Sequence, residues 1–118
     1  MKSFAIESVE PGPEGEVREI RISGFLDAHT VDAFEQAMER LLSESYNKYI
    51  IDLSELSYIS SAGIAALMLF LQQVRRREGD LVLMQPMPKV RKVLDLLGFT
   101  QIFKIVPDRE AARKALGA

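Results

Sequence analysis

A short apolar run, KYIIDLS at residues 48–54, constrains the fold of this chain more than any other segment. Its apolar residues Tyr49, Ile50 and Ile51 follow one another directly, which indicates a strand that is covered on both faces. In a strand with one solvent-exposed face, apolar and polar residues alternate instead, because successive side chains point to opposite sides of a sheet. The run therefore predicts the central strand of an α/β sheet that is covered by helices.

The spacing of apolar residues predicts the elements around this strand. A first strand over residues 2–9 leads into the turn cluster PGPEG, and a second strand holds Val17, Ile20 and Ile22 until Gly24 breaks it. Two further strands are predicted, LVLM (81–84) and IFKIV (102–106). Four helices are predicted over residues 31–42, 61–78, 88–97 and 108–116. Thr30 is the predicted N-cap of the first helix, and Gly79 and Gly98 end the second and the third. The strand–helix–strand units from Lys48 onward predict parallel neighbours.

The resulting order, β-β-α-β-α-β-α-β-α, predicts one α/β domain over residues 1–118. We expect a mixed sheet of four or five strands with about four helices packed on it. No internal repeat or linker divides the chain.

Composition and charge exclude several classes of function. The 118 residues carry 15 basic and 17 acidic side chains, and a net charge of −2 gives no field that would attract a nucleic acid. The absence of cysteine excludes disulfides, thiol redox chemistry and thiolate metal sites. The start MKSFAIESVEPG has no continuous apolar region, and the longest apolar run, residues 62–71, falls short of the ~20 residues that span a bilayer. We therefore expect a cytoplasmic protein without membrane insertion, cofactor or metal ion.

Two adjacent hydroxyl groups, Ser60 and Ser61 in YISSAGIAAL, lie where the strand pattern gives way to a helix pattern. A catalytic nucleophile would need the strained G-x-S-x-G turn, but Ile59 stands where that motif has glycine. The single histidine, His29, precedes the first predicted helix, whereas hydrolases of that type place their histidine late in the chain. The sequence therefore predicts that the chain is not an enzyme.

A metal site and a helix cap are the alternatives to catalysis. Asp27 and Asp52 stand near the ends of predicted strands, but two carboxylates without a histidine or cysteine cluster do not indicate a metal site. Helix capping accounts for one of the two serines, because a single hydroxyl that accepts a backbone N–H bond stabilises a helix start by ~1 kcal/mol. The other hydroxyl is left without a role, so capping and a regulatory switch both remain open.

The helix after the serines is apolar around most of its circumference. Its main apolar stripe consists of Ile64, Leu67, Met68 and Leu71. We expect Leu69 and Phe70, on a second face, to pack on the helix at residues 31–42. The small residues beside the serines are Ala62, Gly63, Ala65 and Ala66. Because small side chains leave a low, smooth surface, the pattern predicts close approach by another protein.

Three segments carry a resemblance to a known family: IIDLSELSYISSAGIAAL (50–67), ISGFLDAHT (22–30) and VRKVLDLLGFTQIFKIVPD (90–108). Together they resemble the STAS domain family. IIDLSELSYISSAGIAAL at residues 50–67 is similar to the family signature, in which a strand ends in Asp-Leu-Ser and a short loop leads to an Asp-Ser-Ser-Gly or Ser-Ser-Ala-Gly type turn and a helix. ISGFLDAHT at residues 22–30 is similar to the Gly-x-Leu-Asp segment before the family's first helix, and residues 90–108 are similar to the family's final elements. The resemblance covers essentially the whole chain and is strongest to the bacterial anti-sigma factor antagonists.

The resemblance implies a protein–protein switch. In that group the unphosphorylated antagonist binds an anti-sigma factor, which is also a serine kinase with a histidine-kinase-like ATPase fold, and thereby frees a sigma factor. Phosphorylation breaks the complex, and a metal-dependent serine phosphatase restores it. The family's phosphoserine lies two residues before the glycine, which implies Ser61 as the phosphorylation site and Ser60 as the alternative. The implied partner-binding residues are Asp27, His29, Ser60, Ser61, Ala62 and Gly63.

The chain departs from the commonest family pattern on both sides of Ser61. Ser60 stands where the family often has aspartate, and Ala62 stands where it often has serine or threonine. The missing hydroxyl at residue 62 favours Ser61, whereas the added hydroxyl at residue 60 makes Ser60 a competitor. The family also implies a second function, a constitutive subunit of a lipid-transport ATPase complex or signalling scaffold, in which Ser61 only caps the helix. We expect the chain by itself to be a monomer.

Overall fold

The computed structural model describes residues 4–9 and 17–118 of the chain. The strands in this part are β1 (Ala5–Val9), β2 (Val17–Leu26), β3 (Lys48–Ile59), β4 (Asp80–Met84) and β5 (Lys104–Val106), and the α-helices are α1 (Val31–Leu42), α2 (Ser61–Arg76), α3 (Pro88–Leu96) and α4 (Arg109–Ala115). The predicted order of strands and helices is confirmed. The predicted turn PGPEG and residues 2–3 of the first predicted strand lie outside the described residues.

The strands form one mixed sheet in the order β1-β2-β3-β4-β5. β1 pairs with β2 in antiparallel fashion, and β2, β3, β4 and β5 are parallel to their neighbours. Parallel neighbours need a crossover connection, and α1, α2 and α3 lie in the three connections between them. The predicted parallel pairing from β3 onward is therefore confirmed. In the described part of the chain, no helix is both long and apolar enough to cross a membrane.

The central strand β3 is buried on both faces. On one face, Tyr49, Ile51 and Leu53 belong to the larger core cluster, to which α1, α2 and α3 contribute. On the other face, Ile50 belongs to a smaller cluster that also contains Ala112 of α4. The two-residue period of a strand divides these side chains between the two clusters. The prediction drawn from KYIIDLS is confirmed.

Two strands are longer than predicted. β2 continues through Gly24 to Leu26, and β3 continues past Ser54 to Ile59. Their pairing shifts register between Arg21 and Ser23 and again between Gly24 and Phe25. Gly24 has φ 86°, a conformation that costs glycine little, so the irregularity is absorbed while the ladder continues. The predictions that Gly24 ends its strand and that a loop follows Ser54 are wrong, because pairing between the two extensions keeps both of them extended.

One apolar side chain is more exposed than predicted, and two element boundaries differ from the prediction. Phe70 is buried as expected, but Leu69 is 45% exposed because it lies in line with the exposed Ala65, one turn earlier on α2. α3 ends at Leu96 and not at residue 97, and Leu97 is 56% exposed. The strand predicted from residue 102 begins at residue 104, since a 3₁₀ turn occupies Phe99–Gln101.

The C-terminal end of α2 is tied to the loop after α1. The helix ends at Arg76 and not at residue 78, and Glu78 adopts a left-handed conformation with φ 62°. Arg77 donates hydrogen bonds to the carbonyl groups of Leu42 (2.6 Å), Glu44 (3.0 Å) and Tyr46 (3.3 Å). Arg75 and Arg76 are exposed in the last turn, where their charge complements the helix dipole, and Arg77 in addition holds the loop after α1.

Candidate functional site

The two serines have different positions at the start of α2. Ser60 is the N-cap, with extended backbone (ψ 174°), and its Oγ accepts a hydrogen bond of 3.3 Å from the N–H of Gly63. Ser61 is the first helical residue and is exposed, and its hydroxyl has no hydrogen bond to any other described residue. The cap therefore belongs to Ser60, which leaves the Ser61 hydroxyl available to another molecule.

A second turn, at residues 27–30, precedes α1. The Asp27 carboxylate accepts a 2.9 Å hydrogen bond from the N–H of His29, and the Asp27 carbonyl accepts one of 2.9 Å from the N–H of Val31. Thr30 occupies the predicted N-cap position but makes no capping bond to the helix. Its hydroxyl instead donates to the carbonyl of Phe25 at 2.8 Å and accepts from the N–H of Asp27 at 3.0 Å. The prediction that Thr30 caps α1 is right in position and wrong in mechanism, because the hydroxyl closes the turn.

The two turns are held against each other at the carboxyl end of β2 and β3. The N–H of Ser60 donates a 2.9 Å hydrogen bond to the carbonyl of Leu26, the residue before Asp27. Gly63 is buried, and a Cβ atom added to it would lie 2.7 Å from the oxygen of that carbonyl and 2.8 Å from Leu26 Cγ. Only glycine allows the first turn of α2 to come this close to β2.

The structure thus brings the predicted site residues to one edge of the sheet. His29 and Ser61 are exposed, Asp27, Ser60 and Ala62 are half-buried, and Gly63 is buried. Gly63 has a packing role that the sequence did not indicate, while contact of these six residues with a partner stays a prediction.

An open groove of about 630 Å³ lies beside the Asp27 turn. Its lining residues are Phe25, Asp27, Ser57, Tyr58, Ile59, Lys89, Val90 and Val93. Phe25 is 40% exposed and Tyr58 is 48% exposed, and their rings meet edge to face with centroids 5.8 Å apart. No local pattern in the sequence indicates this groove, because the groove needs the register that pairs Phe25 with Tyr58 in the extended parts of β2 and β3. The part of it that the sequence shows is an aromatic residue two positions before each turn, at residues 25 and 58.

Asp52 lies away from this edge, in an ion pair on the sheet. It is buried, and its carboxylate accepts hydrogen bonds from Arg21 Nε at 3.0 Å and from the N–H of Ser54 at 2.9 Å. Burial alone raises the pKa of Asp52, but the hydrogen bonds from Ser54 and Arg21 outweigh burial and lower the pKa below its usual value. Asp27 and Asp52, the two carboxylates singled out in the sequence, therefore have separate roles. No group of three or more side chains suited to a metal ion occurs within residues 4–9 and 17–118.

A second buried carboxylate fastens the last helix to the sheet. Glu19 on β2 accepts two hydrogen bonds from Arg109 at the start of α4, from Nε at 2.6 Å and from Nη2 at 2.7 Å. This two-point geometry is the strong form of an arginine–carboxylate contact. The contact pairs the Glu19 carboxylate, whose burial without a cation would be costly.

Comparison with known proteins gives a consistent result. Residues 13–112 match the family model of the STAS domain. The chain is 33% identical over 94 residues to BtrV of Bordetella bronchiseptica, whose name assigns it provisionally to the anti-sigma factor antagonists, and the match covers 80% of this chain and 81% of BtrV. A solved anti-sigma factor antagonist from Mycobacterium paratuberculosis is similar with a TM-score of 0.86 at 23% identity, over 98% of this chain and 96% of that one. The unphosphorylated form of the anti-sigma factor antagonist SpoIIAA is similar with a TM-score of 0.75 at 24% identity, over 98% of both chains. These two solved structures establish the likeness of fold.

Proposed function

The chain belongs to the STAS domain family, and from that premise we propose that it is an anti-sigma factor antagonist controlled by phosphorylation of Ser61. When Ser61 is unphosphorylated the protein binds an anti-sigma factor, and phosphorylation of Ser61 ends the complex. The observation that carries this proposal is the exposed Ser61 hydroxyl at the first position of α2. The protein acts by binding and release, not by catalysis.

The hydrogen bonding of the two serines supports Ser61 over Ser60 as the acceptor of the phosphoryl group. Ser60 is half-buried and its Oγ already accepts the N–H of Gly63, so a kinase would have to disturb the cap to reach it. Ser61 is exposed, and its modification leaves that cap in place. Ser60 remains the second candidate.

The position of Ser61 also supports a fold that survives phosphorylation. A phosphoryl group adds about −1.5 to −2 charges at neutral pH. The first turn of α2 has no acidic residue to repel it, and the free N–H groups and the dipole of a helix start stabilise an anion. The modified protein should therefore stay folded.

A partner that packs on the same spot does not tolerate the modification. The surface around Ser61 is made of small side chains, with Ala65 exposed and Ala62 half-buried, so a partner can approach the helix closely. A dianion there must be buried or must repel the partner. A loss of about 3 to 4 kcal/mol of binding free energy weakens the complex several-hundred-fold, which is enough for a switch.

The proposed partner is an anti-sigma factor that is also the serine kinase, with a histidine-kinase-like ATPase fold, and a metal-dependent serine phosphatase resets the switch. The proposed contact surface consists of Asp27, His29, Ser60, Ser61, Ala62 and Gly63. Five of these residues are exposed or half-buried, and Gly63 supports the surface from beneath.

Phosphorylation and binding test the proposal together. We would incubate the chain with ATP and each purified anti-sigma factor kinase of the source genome, and follow the intact mass. One phosphoryl group is expected on the wild type and on Ser60→Ala, and none on Ser61→Ala. If a kinase that binds the chain adds no phosphate, the constitutive subunit is the better description.

Binding of the same kinase is then measured by titration calorimetry. Ser61→Ala should bind like the wild type, and Ser61→Asp should bind at least a hundredfold more weakly. Ser45→Asp adds the same charge at another exposed serine, in the loop before β3, and should bind normally. Equal affinity of Ser61→Asp and Ser61→Ala would refute the switch.

A further inference from the structure

We propose that the groove beside the Asp27 turn is a second docking site for the same anti-sigma factor, and that it receives a short partner segment with an apolar anchor side chain next to an acidic residue. This inference rests on the proposed function, because it names a further contact of that partner. The partner segment would pack on Phe25 and Tyr58 and pair with Lys89.

The exposed aromatic pair is the first argument. The strand period buries Leu26 and Ile59, so their predecessors Phe25 and Tyr58 must point the other way. Aromatic rings bring a large apolar area and lose little conformational entropy on binding, and they are enriched where interfaces gain most of their binding energy. With 40% and 48% of their surfaces exposed, the two rings leave much of that area for a partner to cover.

The electrostatic character of the groove is the second argument, and it selects an acidic partner. Lys89, the cationic side chain of the groove wall, is exposed in the first turn of α3. That helix starts with Pro88 and has no side-chain cap, so its positive dipole end adds to the charge of Lys89. The acidic side chain of the wall, Asp27, accepts the N–H of His29 inside its own turn, whereas Lys89 forms no ion pair with any other described residue. An incoming carboxylate is therefore the complementary charge.

Continuity with the phosphorylation site is the third argument. Asp27 belongs to both the groove wall and the turn that is hydrogen-bonded through Leu26 to Ser60. A stable interface covers about 800 Å² on each partner with some 20 to 30 residues. The six proposed contact residues cannot supply that area, and the groove adjoins them because Asp27 belongs to both.

Point variants on the groove wall test this inference by titration calorimetry against the anti-sigma factor that binds the wild type. Tyr58→Ala and Lys89→Glu should each weaken binding at least tenfold, and the effect of Lys89→Glu should shrink as salt is raised. Matched controls are Leu96→Ala, which removes an apolar side chain that is 75% exposed outside the groove, and Lys114→Glu on α4. Both controls should bind within twofold of the wild type. Thermal unfolding of all four variants checks that each is folded.

The outcomes separate this inference from the proposed function. If Ser61→Asp abolishes binding while Tyr58→Ala and Lys89→Glu bind normally, the docking groove is overturned and the switch stands. If no anti-sigma factor binds the wild type, the proposed function fails and this inference fails with it. Two further results would give the groove another occupant and overturn the inference. One is a dimer of the wild type that Tyr58→Ala dissociates. The other is a small molecule, retained in native mass spectrometry, that Tyr58→Ala loses without any change in partner affinity.

Discussion

Substitution of Gly63 by alanine tests how closely the two turns of the site are packed. The added Cβ would lie 2.7 Å from the Leu26 carbonyl oxygen, 2.8 Å from Leu26 Cγ and 3.0 Å from Ile59 Cγ1. Carbon atoms pack best at about 3.5 to 4.0 Å, so two neighbours must move. The carbonyl cannot turn aside freely, because it also accepts the N–H of Ser60.

Two opposing effects decide the sign of the change in stability. Inserting a methyl group into a packed region costs about 1 to 3 kcal/mol, and backbone contact places Gly63→Ala in the upper half of that range. Alanine is the better helix former by about 1 kcal/mol. The expected net loss is about 1 to 2 kcal/mol. For a chain of this size that corresponds to a fall in melting temperature of about 4 to 8 °C.

Urea unfolding followed by far-ultraviolet circular dichroism measures this loss, with the slope of the unfolding free energy against urea expected to stay unchanged. Ala65→Gly, at an exposed position one half-turn further along α2, is the control for helix propensity alone, and we expect it to lose about 1 kcal/mol. If Gly63→Ala is as stable as the wild type or more stable, the close approach to Leu26 does not constrain this residue and the packing argument is refuted.

Two further substitutions test contacts away from the site. The pKa of Asp52 is lower in the folded state than its usual value. The ionised carboxylate therefore makes its full contribution to the free energy of unfolding above the unfolded pKa of about 4. This contribution is lost as pH falls through the lower pKa of the folded state. Asp52→Asn should therefore be less stable than the wild type at pH 7, and urea unfolding should show the difference shrinking below about pH 4; a constant difference would contradict the role of the charge. Arg77→Ala removes the hydrogen bonds to three carbonyl groups of the loop after α1 and should cost about 1 kcal/mol in urea unfolding, whereas the exposed neighbour Arg76→Ala should cost under about 0.5 kcal/mol. Equal losses in the two arginine variants would show that the loop does not depend on Arg77.

The element order could be predicted from the sequence because each element carries its own period. KYIIDLS predicted a strand covered on both faces, and apolar residues at helical spacing, such as Phe34, Met38 and Leu41, predicted the helix over residues 31–42. Information of this kind is local, since burial on one side of a helix or strand repeats within the element. It does not report where a strand stops when its partner continues beside it, and the extensions of β2 and β3 were missed for that reason.

The candidate site was predictable in its chemistry and not in its geometry. The sequence identified the serine pair, but adjacent serines can both cap a helix, and the choice of Ser60 depends on where β3 ends. Lys89 reaches the groove from α3, thirty-one residues after Tyr58, so no local pattern connects the two. The packing role of Gly63 depends on Leu26 in another strand, and only the folded chain reveals it.

The hydrogen bond between Ser60 and the Leu26 carbonyl has a kinetic consequence under the proposed function. With the two turns joined and Gly63 packed beneath them, the surface has no hinge that must swing when the phosphoryl group arrives or leaves. Rearrangements of packed elements take microseconds to seconds, and a rigid surface avoids that delay. The response time is then set by the kinase, the phosphatase and the dissociation of the partner. Because no slow conformational change of the protein intervenes, the fraction bound to the partner follows the current ratio of kinase activity to phosphatase activity.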